Sequence, residues 1–250
     1  MKKLLIVGAG GFGRELHAWA SQHPDCGRAW TLAGFLDDNS EALTSFGRFA
    51  PVLSLSGHQP SADTVYLAGL GLPSMKEKLV APLIAAGAEF LTFVHPRALI
   101  GARVKLGKGV VICPGSVLSV DIEIGDFAMV NLNCTIGHDA SVGPWTTVSA
   151  QCDITGHVRV ADRVFMGSRA SIIPGKSVGS RAVVGAGAVV VTDVPAAVTT
   201  SYATPISVRM ALRVKLLLPK IIFKSCFATA AATAVSSSVA PPDAAKTAST

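Results

Sequence analysis

The stretch NCTIGHDASVG, residues 133 to 143, sets His138 beside Asp139 between two glycines, in a region with almost no other charge. An imidazole that is neutral near pH 7 can take a proton from an attacking amine or hydroxyl, and a nearby carboxylate favours the imidazolium that forms. General-base catalysis is the chemistry this pair offers. An oxyanion would need fixed donors, for which the backbone N–H groups of Gly137 and Gly156 are candidates. Adjacent strand residues point to opposite faces, so Asp139 is expected to act through a backbone turn or another group. A histidine at such a position is also often only a solvated surface residue. His157 is expected to be structural, His95 before Pro96 to fix a domain junction, and His17, His23 and His58 to lie at the surface.

The elements that position the pair follow from a period of six. From Ile100 onward, Leu106, Ile112, Leu118, Ile124, Val130, Ile136, Val142, Val148, Ile154, Val160, Met166, Ile172, Val178, Val184 and Val190 recur without a slip. A helix repeats near 3.6 and a strand near 2, so neither explains the run. The residue after each aliphatic is often glycine or another turn former, and the residue four after it is usually small. One large and one small inward side chain plus a turn describe one side of a three-sided coil of stacked parallel strands. Each large aliphatic is worth about 1.5 to 3 kcal/mol when buried, enough for the prism to be held along its own axis. Cys134 and Cys152 take small inward positions. Lys176 falls on one too, which predicts a bulge around IPGKS.

Ahead of the coil, KKLLIVGAGGFGRELHAWASQ reads as strand, glycine turn and helix, with Gly8, Gly10 and Gly13 in the spacing that lets a phosphate approach a helix N-terminus. The bland alternative is a tight turn that binds nothing. A second strand, TLAGFLDD, ends at Asp37 and Asp38, where acids contact a ribose or base. DTVYLAGLG gives a third strand with Gly69 and Gly71 at its tip, and Gly69 is counted among the ligand-facing residues. PSMKEKLVAPLIAAG then forms a helix opened by Pro73. Only about half of a dinucleotide fold fits before residue 95.

The net charge of +6 is concentrated in residues 205 to 250, where Arg209, Arg213, Lys215, Lys220, Lys224 and Lys246 face only Asp243. With the rest near neutrality and no basic patch interleaved with aromatics, nucleic acid is not an expected partner. Cysteines 26, 113, 134, 152 and 226 show neither a CxxC pair nor metal-ligand spacing, so no metal is expected. The N-terminal apolar run is too short for a signal peptide, which predicts a cytoplasmic protein. RMALRVKLLLPKIIFKSCF is a basic amphipathic segment, too charged to span a membrane but suited to peripheral contact with an anionic inner membrane or with a neighbouring subunit. A low-complexity tail follows. The expected domains are 1–94, 95–200 and 201–250.

The motifs IVGAGGFGRE, FLDD, FVHPRALIG, the hexads, VNLNCTIGHDASVG and GAGAVVVTDVP together resemble the family of sialic-acid O-acetyltransferases and nucleotide-aminosugar N-acetyltransferases, over residues 3 to about 195. The resemblance implies a Rossmann-like α/β half domain followed by a left-handed parallel β-helix, in a homotrimer that holds acetyl-CoA along the prism between subunits. It implies that a nucleotide-sugar substrate rests on the N-terminal domain. By position, His138 matches the catalytic base and Asp139 its acidic neighbour. Asn131, Gly10, Gly11 and Phe12 fall at substrate positions, and Asp37 and Asp38 at the base. Gly156, Ser168 and Ala186 fall at acetyl-CoA, together with Thr147, which stands where some members carry a second histidine. The usual GNPAK ending is replaced by SYATPISVR. A serine O-acetyltransferase or other hexapeptide acyltransferase is a second reading, disfavoured by the glycine-loop domain. A non-catalytic sugar-nucleotide-binding scaffold is a third.

Overall fold

Every sixth residue from Arg103 to Gly187 has a left-handed backbone, with φ between +53° and +76°. Only four of these fifteen positions are glycine, and a non-glycine residue there costs about 1 to 2 kcal/mol. The cost is offset by a repeated bond: the N–H of each such residue from Asp121 to Gly187 donates to the carbonyl nineteen residues earlier, at 2.8 to 3.2 Å. These turns are the corners of the prism. The computed structural model describes residues 1–200, and the basic segment predicted after residue 204 lies outside them.

Between the corners run two-residue strands in three parallel sheets of seven, six and five strands. Side one holds Met129–Val130, Thr147–Val148 and Phe165–Met166; side two holds Thr135–Ile136, Asp153–Ile154 and Ser171–Ile172; side three holds Glu123–Ile124, Ser141–Val142 and Arg159–Val160. Each strand pairs with the one eighteen residues on, as Thr135 does with Asp153. The aliphatics from Ile112 to Val190 are 4 % exposed or less, so the period read from the sequence is the inner lining of the coil. The bulge expected at Lys176 is absent. Arg159 pairs with Ser177 and Val160 with Val178 in unbroken register. Gly175, at φ +72° and bonded to Gly156 O, makes the ordinary corner just before it.

The N-terminal region is a five-stranded parallel sheet in the order β3-β2-β1-β4-β5, from β1 (Lys2–Val7), β2 (Trp30–Leu36), β3 (Val52–Leu53), β4 (Thr64–Ala68) and β5 (Glu89–Phe90). Helices α1 (Gly11–Ser21) and α2 (Pro73–Ala85) follow β1 and β4. The two short strands β3 and β5 carry no pattern that the sequence reading picked out. Coil pairing begins at Phe93, opposite Val111, two residues before the expected boundary. Residues of both regions fall in one compact unit. Among the described residues no helix is long and apolar enough to cross a membrane.

The α/β region packs on the outer face of side one. Val111 and Met129, which point outward there, are buried in one cluster with Leu4, Ile6 and Phe93. Arg163 of the coil makes a two-pronged ion pair with Glu77 of α2, at 2.6 and 2.7 Å. Beside it the Lys76 ammonium, 1 % exposed, donates to Thr147 Oγ1 at 3.2 Å and Thr146 O at 3.4 Å. Burial without a carboxylate partner pushes Lys76 down to about 7.

An unfolded lysine stays charged to about pH 10.4, so between pH 7 and that value the unfolded chain binds the extra proton and stability rises with pH. Lys76→Met is therefore expected to raise the melting temperature most at pH 6 to 7, with the gain shrinking towards pH 10. Thermal melts across that range check it, and a gain independent of pH would refute the assignment.

Candidate active site

His138 and Asp139 sit on the corner between sides two and three, the corner opposite the side that the α/β region covers. Asp139 is one of the left-handed residues, at φ +59°. That conformation, and not strand geometry, turns its carboxylate alongside the imidazole, so His138 Nδ1 and Asp139 Oδ2 lie 2.8 Å apart. The expectation that neighbours diverge fails because the pair occupies a turn. With Nδ1–H donating to the carboxylate, Nε2 carries the lone pair. Both side chains are about half exposed, so the pair is open to solvent.

Directly on the next coil, Gly156 lies under the imidazole. A Cβ added there would stand 2.7 Å from His138 Nε2, so only glycine leaves room for the ring as it lies. Of the two backbone donors expected for an oxyanion, Gly137 is committed: its N–H donates to Ile154 O at 2.7 Å. The Gly156 N–H has no acceptor among the described residues. His157, expected to be structural, joins the site. Its ring stands edge-on to His138 with centroids 5.0 Å apart, and its Nδ1 lies 3.9 Å from Asp139 Oδ2. The signal for it is in the sequence, since 157 is one coil of eighteen after 139. Arg159 closes the group by donating to the Asp139 carbonyl, and it lines an open concavity of about 720 Å³ with Asp139 and Ser141.

The other expected residues divide. Ser168 and Ala186 stack on the corner between sides one and two, where Gly187 N–H donates to Ser168 O at 2.9 Å. Asn131 stands on that same corner, its side-chain oxygen accepting the Leu132 N–H at 2.7 Å. Within one chain, therefore, Asn131, Ser168 and Ala186 are separated from His138 and Gly156 by the width of side two. Thr147 must be withdrawn from the cofactor set: it is 1 % exposed beneath the α/β region, with its hydroxyl bonded to Lys76.

In the α/β region, Gly10 and Gly11 open α1 with free space where a Cβ would be, so a ligand can reach the backbone there. Phe12 packs against Trp19 beside them. Asp37 accepts the Ala9 N–H at 2.8 Å and the Asn39 N–H at 2.9 Å, and so shapes the glycine loop from the end of β2. Asp38, exposed beside it, accepts from Ser56 N–H, Ser56 Oγ and Ser54 Oγ at 2.7 to 3.0 Å, which hold its carboxyl below the usual carboxylate range. Gly69 is buried with no room for a Cβ against Ile6 and Gly13, which lets β4 close on the loop.

Two family models match the chain: the PglD N-terminal domain over residues 3–83 and the GMPPB C-terminal domain over residues 86–187. A curated relative, UDP-N-acetylbacillosamine N-acetyltransferase of Bacillus subtilis (strain 168), is 27% identical over 126 residues, 45% of this chain and 51% of the relative. The chain thus spans about half the length of that relative. Among solved structures, WeeI from Acinetobacter baumannii AYE is similar with a TM-score of 0.73 and 28% identity, covering 80% of this chain and 97% of WeeI. A variant of perosamine N-acetyltransferase from Caulobacter crescentus, in complex with CoA and GDP-perosamine, gives 0.70 and 26%, covering 82% of this chain and 95% of its own.

Gly156→Ala is expected to keep the coil, since the backbone there needs no positive φ, and to tilt the His138 ring away from Asp139. The imidazole ¹⁵N signals of His138 should move while the amide spectrum of the N-terminal sheet stays. Unmoved ring signals would show that the ring does not depend on the glycine.

Proposed function

We propose that this chain, like the nucleotide-aminosugar N-acetyltransferases it resembles over its PglD-type N-terminal domain and its coil, moves an acetyl group from acetyl-CoA to the amine of a nucleotide-activated amino sugar. The observation that carries the mechanism is the 2.8 Å bond between His138 Nδ1 and Asp139, which leaves Nε2 as an oriented base. As the sugar nitrogen attacks the thioester carbonyl, Nε2 takes its proton. The Gly156 N–H stabilises the oxyanion. When the C–S bond breaks, the imidazolium returns the proton to the CoA thiolate. Asp139 stabilises the imidazolium in between, and neither residue forms a covalent intermediate.

The acceptor's nucleotide rests on Gly10, Gly11 and Phe12, on the loop that Asp37 shapes, with its phosphates towards the start of α1. A homotrimer is part of this reading. One chain covers side one with its own α/β region and leaves Leu99, Val117 and Val189 of side two exposed to 66, 38 and 46 %. Packing of side two against another copy would bury those three side chains, with Thr135, Asp153 and Ser171 between Val117 and Val189 on the same face. It would also bring Asn131, Ser168 and Ala186 of one copy towards His138 and Gly156 of the next, with acetyl-CoA along the seam. The complexes of the relatives with CoA and GDP-perosamine support the two ligands, the uncovered side two supports the trimer, and the oriented imidazole, for which the scaffold reading has no use, supports the base.

His138→Ala is expected to fold and to lose acetyl transfer by about 100-fold or more, in line with the worth of a general base. Thiol release from acetyl-CoA, measured across a panel of UDP-, GDP- and dTDP-amino sugars, tests both substrate and mechanism; near-normal turnover of the variant would remove the base. Asp37→Ala loses one charge-assisted hydrogen bond to the glycine loop at Ala9 and one to its own turn at Asn39, and is expected to raise the sugar-nucleotide KM about tenfold. The acetyl-CoA KM should stay within about twofold because that ligand touches another region. Equal effects on the two constants would reject the division of labour.

A further inference from the structure

Asp139 and His157 stand on consecutive coils at the same corner, eighteen residues apart, and both are left-handed, at φ +59° and +61°. Their turns are pinned by backbone bonds, Asp139 N–H to Val120 O at 3.2 Å and His157 N–H to His138 O at 2.9 Å. His138 completes a triangle on this frame. Its Nδ1 is 2.8 Å from Asp139 Oδ2, the His157 Nδ1 is 3.9 Å from that oxygen, and one ligating atom from each of the three lies within 4.8 Å of the others. The rings are perpendicular, at 89°.

We propose that His138, Asp139 and His157 bind one divalent transition-metal ion, zinc above all, and that the bound ion occupies the base and stops acetyl transfer. Zinc takes imidazole nitrogen and carboxylate oxygen at about 2.0 to 2.2 Å, so ligands sharing one ion stand roughly 3 to 4 Å apart. The observed separations bracket that range and close with small side-chain rotations. Two imidazoles and one carboxylate select zinc or its late first-row neighbours over magnesium and calcium, which prefer oxygen alone. All three side chains are about half exposed or more, so water can fill the fourth position and an ion can enter from solvent. The ion displaces the proton that joins His138 to Asp139 and uses up the lone-pair chemistry of the pair. Binding stands on the geometry alone, whereas inhibition rests on His138 being the base.

The test uses the full chain without an affinity tag, stripped with EDTA and titrated calorimetrically with zinc chloride. One ion per chain is expected in the wild type. In His157→Asn and Asp139→Asn, at least about tenfold weaker binding is expected. Asparagine tolerates the left-handed turn, so both variants should melt like the wild type. Zinc should also abolish thiol release by the wild type, with EDTA restoring it. Equal affinity in all three proteins would overturn the site. Site-specific binding that leaves transfer untouched would overturn the inhibition. A metal-free wild type inactive on every sugar would sink the general base while leaving the calorimetry to judge the metal.

Discussion

The structure depends on one repeated bond, the N–H of a left-handed corner residue donating to the coil beneath it. Without that bond each corner would be a strained residue with an unpaired amide, and a chain with eleven non-glycine corners between Arg103 and Arg181 would not close. With it, the same conformation that turns the backbone also turns two neighbouring side chains to the outside. The His138 and Asp139 pair is a by-product of this turning. No special loop is built for it; the corner that recurs down the whole prism supplies it, filled at this level by an imidazole and a carboxylate.

A second constraint decides which of three equivalent sides is free. The α/β region takes side one, through an apolar patch around Met129 and an ion pair between Arg163 and Glu77. It accepts a buried Lys76 whose amine has only a hydroxyl and a carbonyl to donate to. Docking on side one leaves the opposite corner uncovered. The imidazole of one chain thus lies on a corner that its own α/β region does not cover, which is why the reading above calls for more than one copy.

The coil was legible because its interior admits one large aliphatic per side, and a period of six has no other common cause. The corner conformation was not, because its residues share no chemistry: arginine, aspartate, phenylalanine, asparagine, tryptophan and histidine all occupy it. Reading His138 and Asp139 as strand neighbours therefore predicted divergence where the turn brings contact. Thr147 failed for another reason. Outward positions on the three sides look alike in the chain, and only the packing of a separate region distinguishes the buried one. Asp37 and Asp38 were found at the right strand end, yet nothing in the letters tells an acid that shapes its own loop from one that waits for a ligand. His157 was in reach of arithmetic, since eighteen residues separate it from Asp139.

The pairing of each corner with a carbonyl nineteen residues back also restricts how such a molecule can change length. One residue added within a side would swap lining for surface in every later coil, so additions must either loop out at a corner or come as whole circuits. A whole circuit advances the axis by about 4.8 Å. Groups gripping a long ligand along the prism can thus be moved relative to His138 only in steps of that size. The span between the reacting centre and the far end of whatever it binds is set by counting circuits.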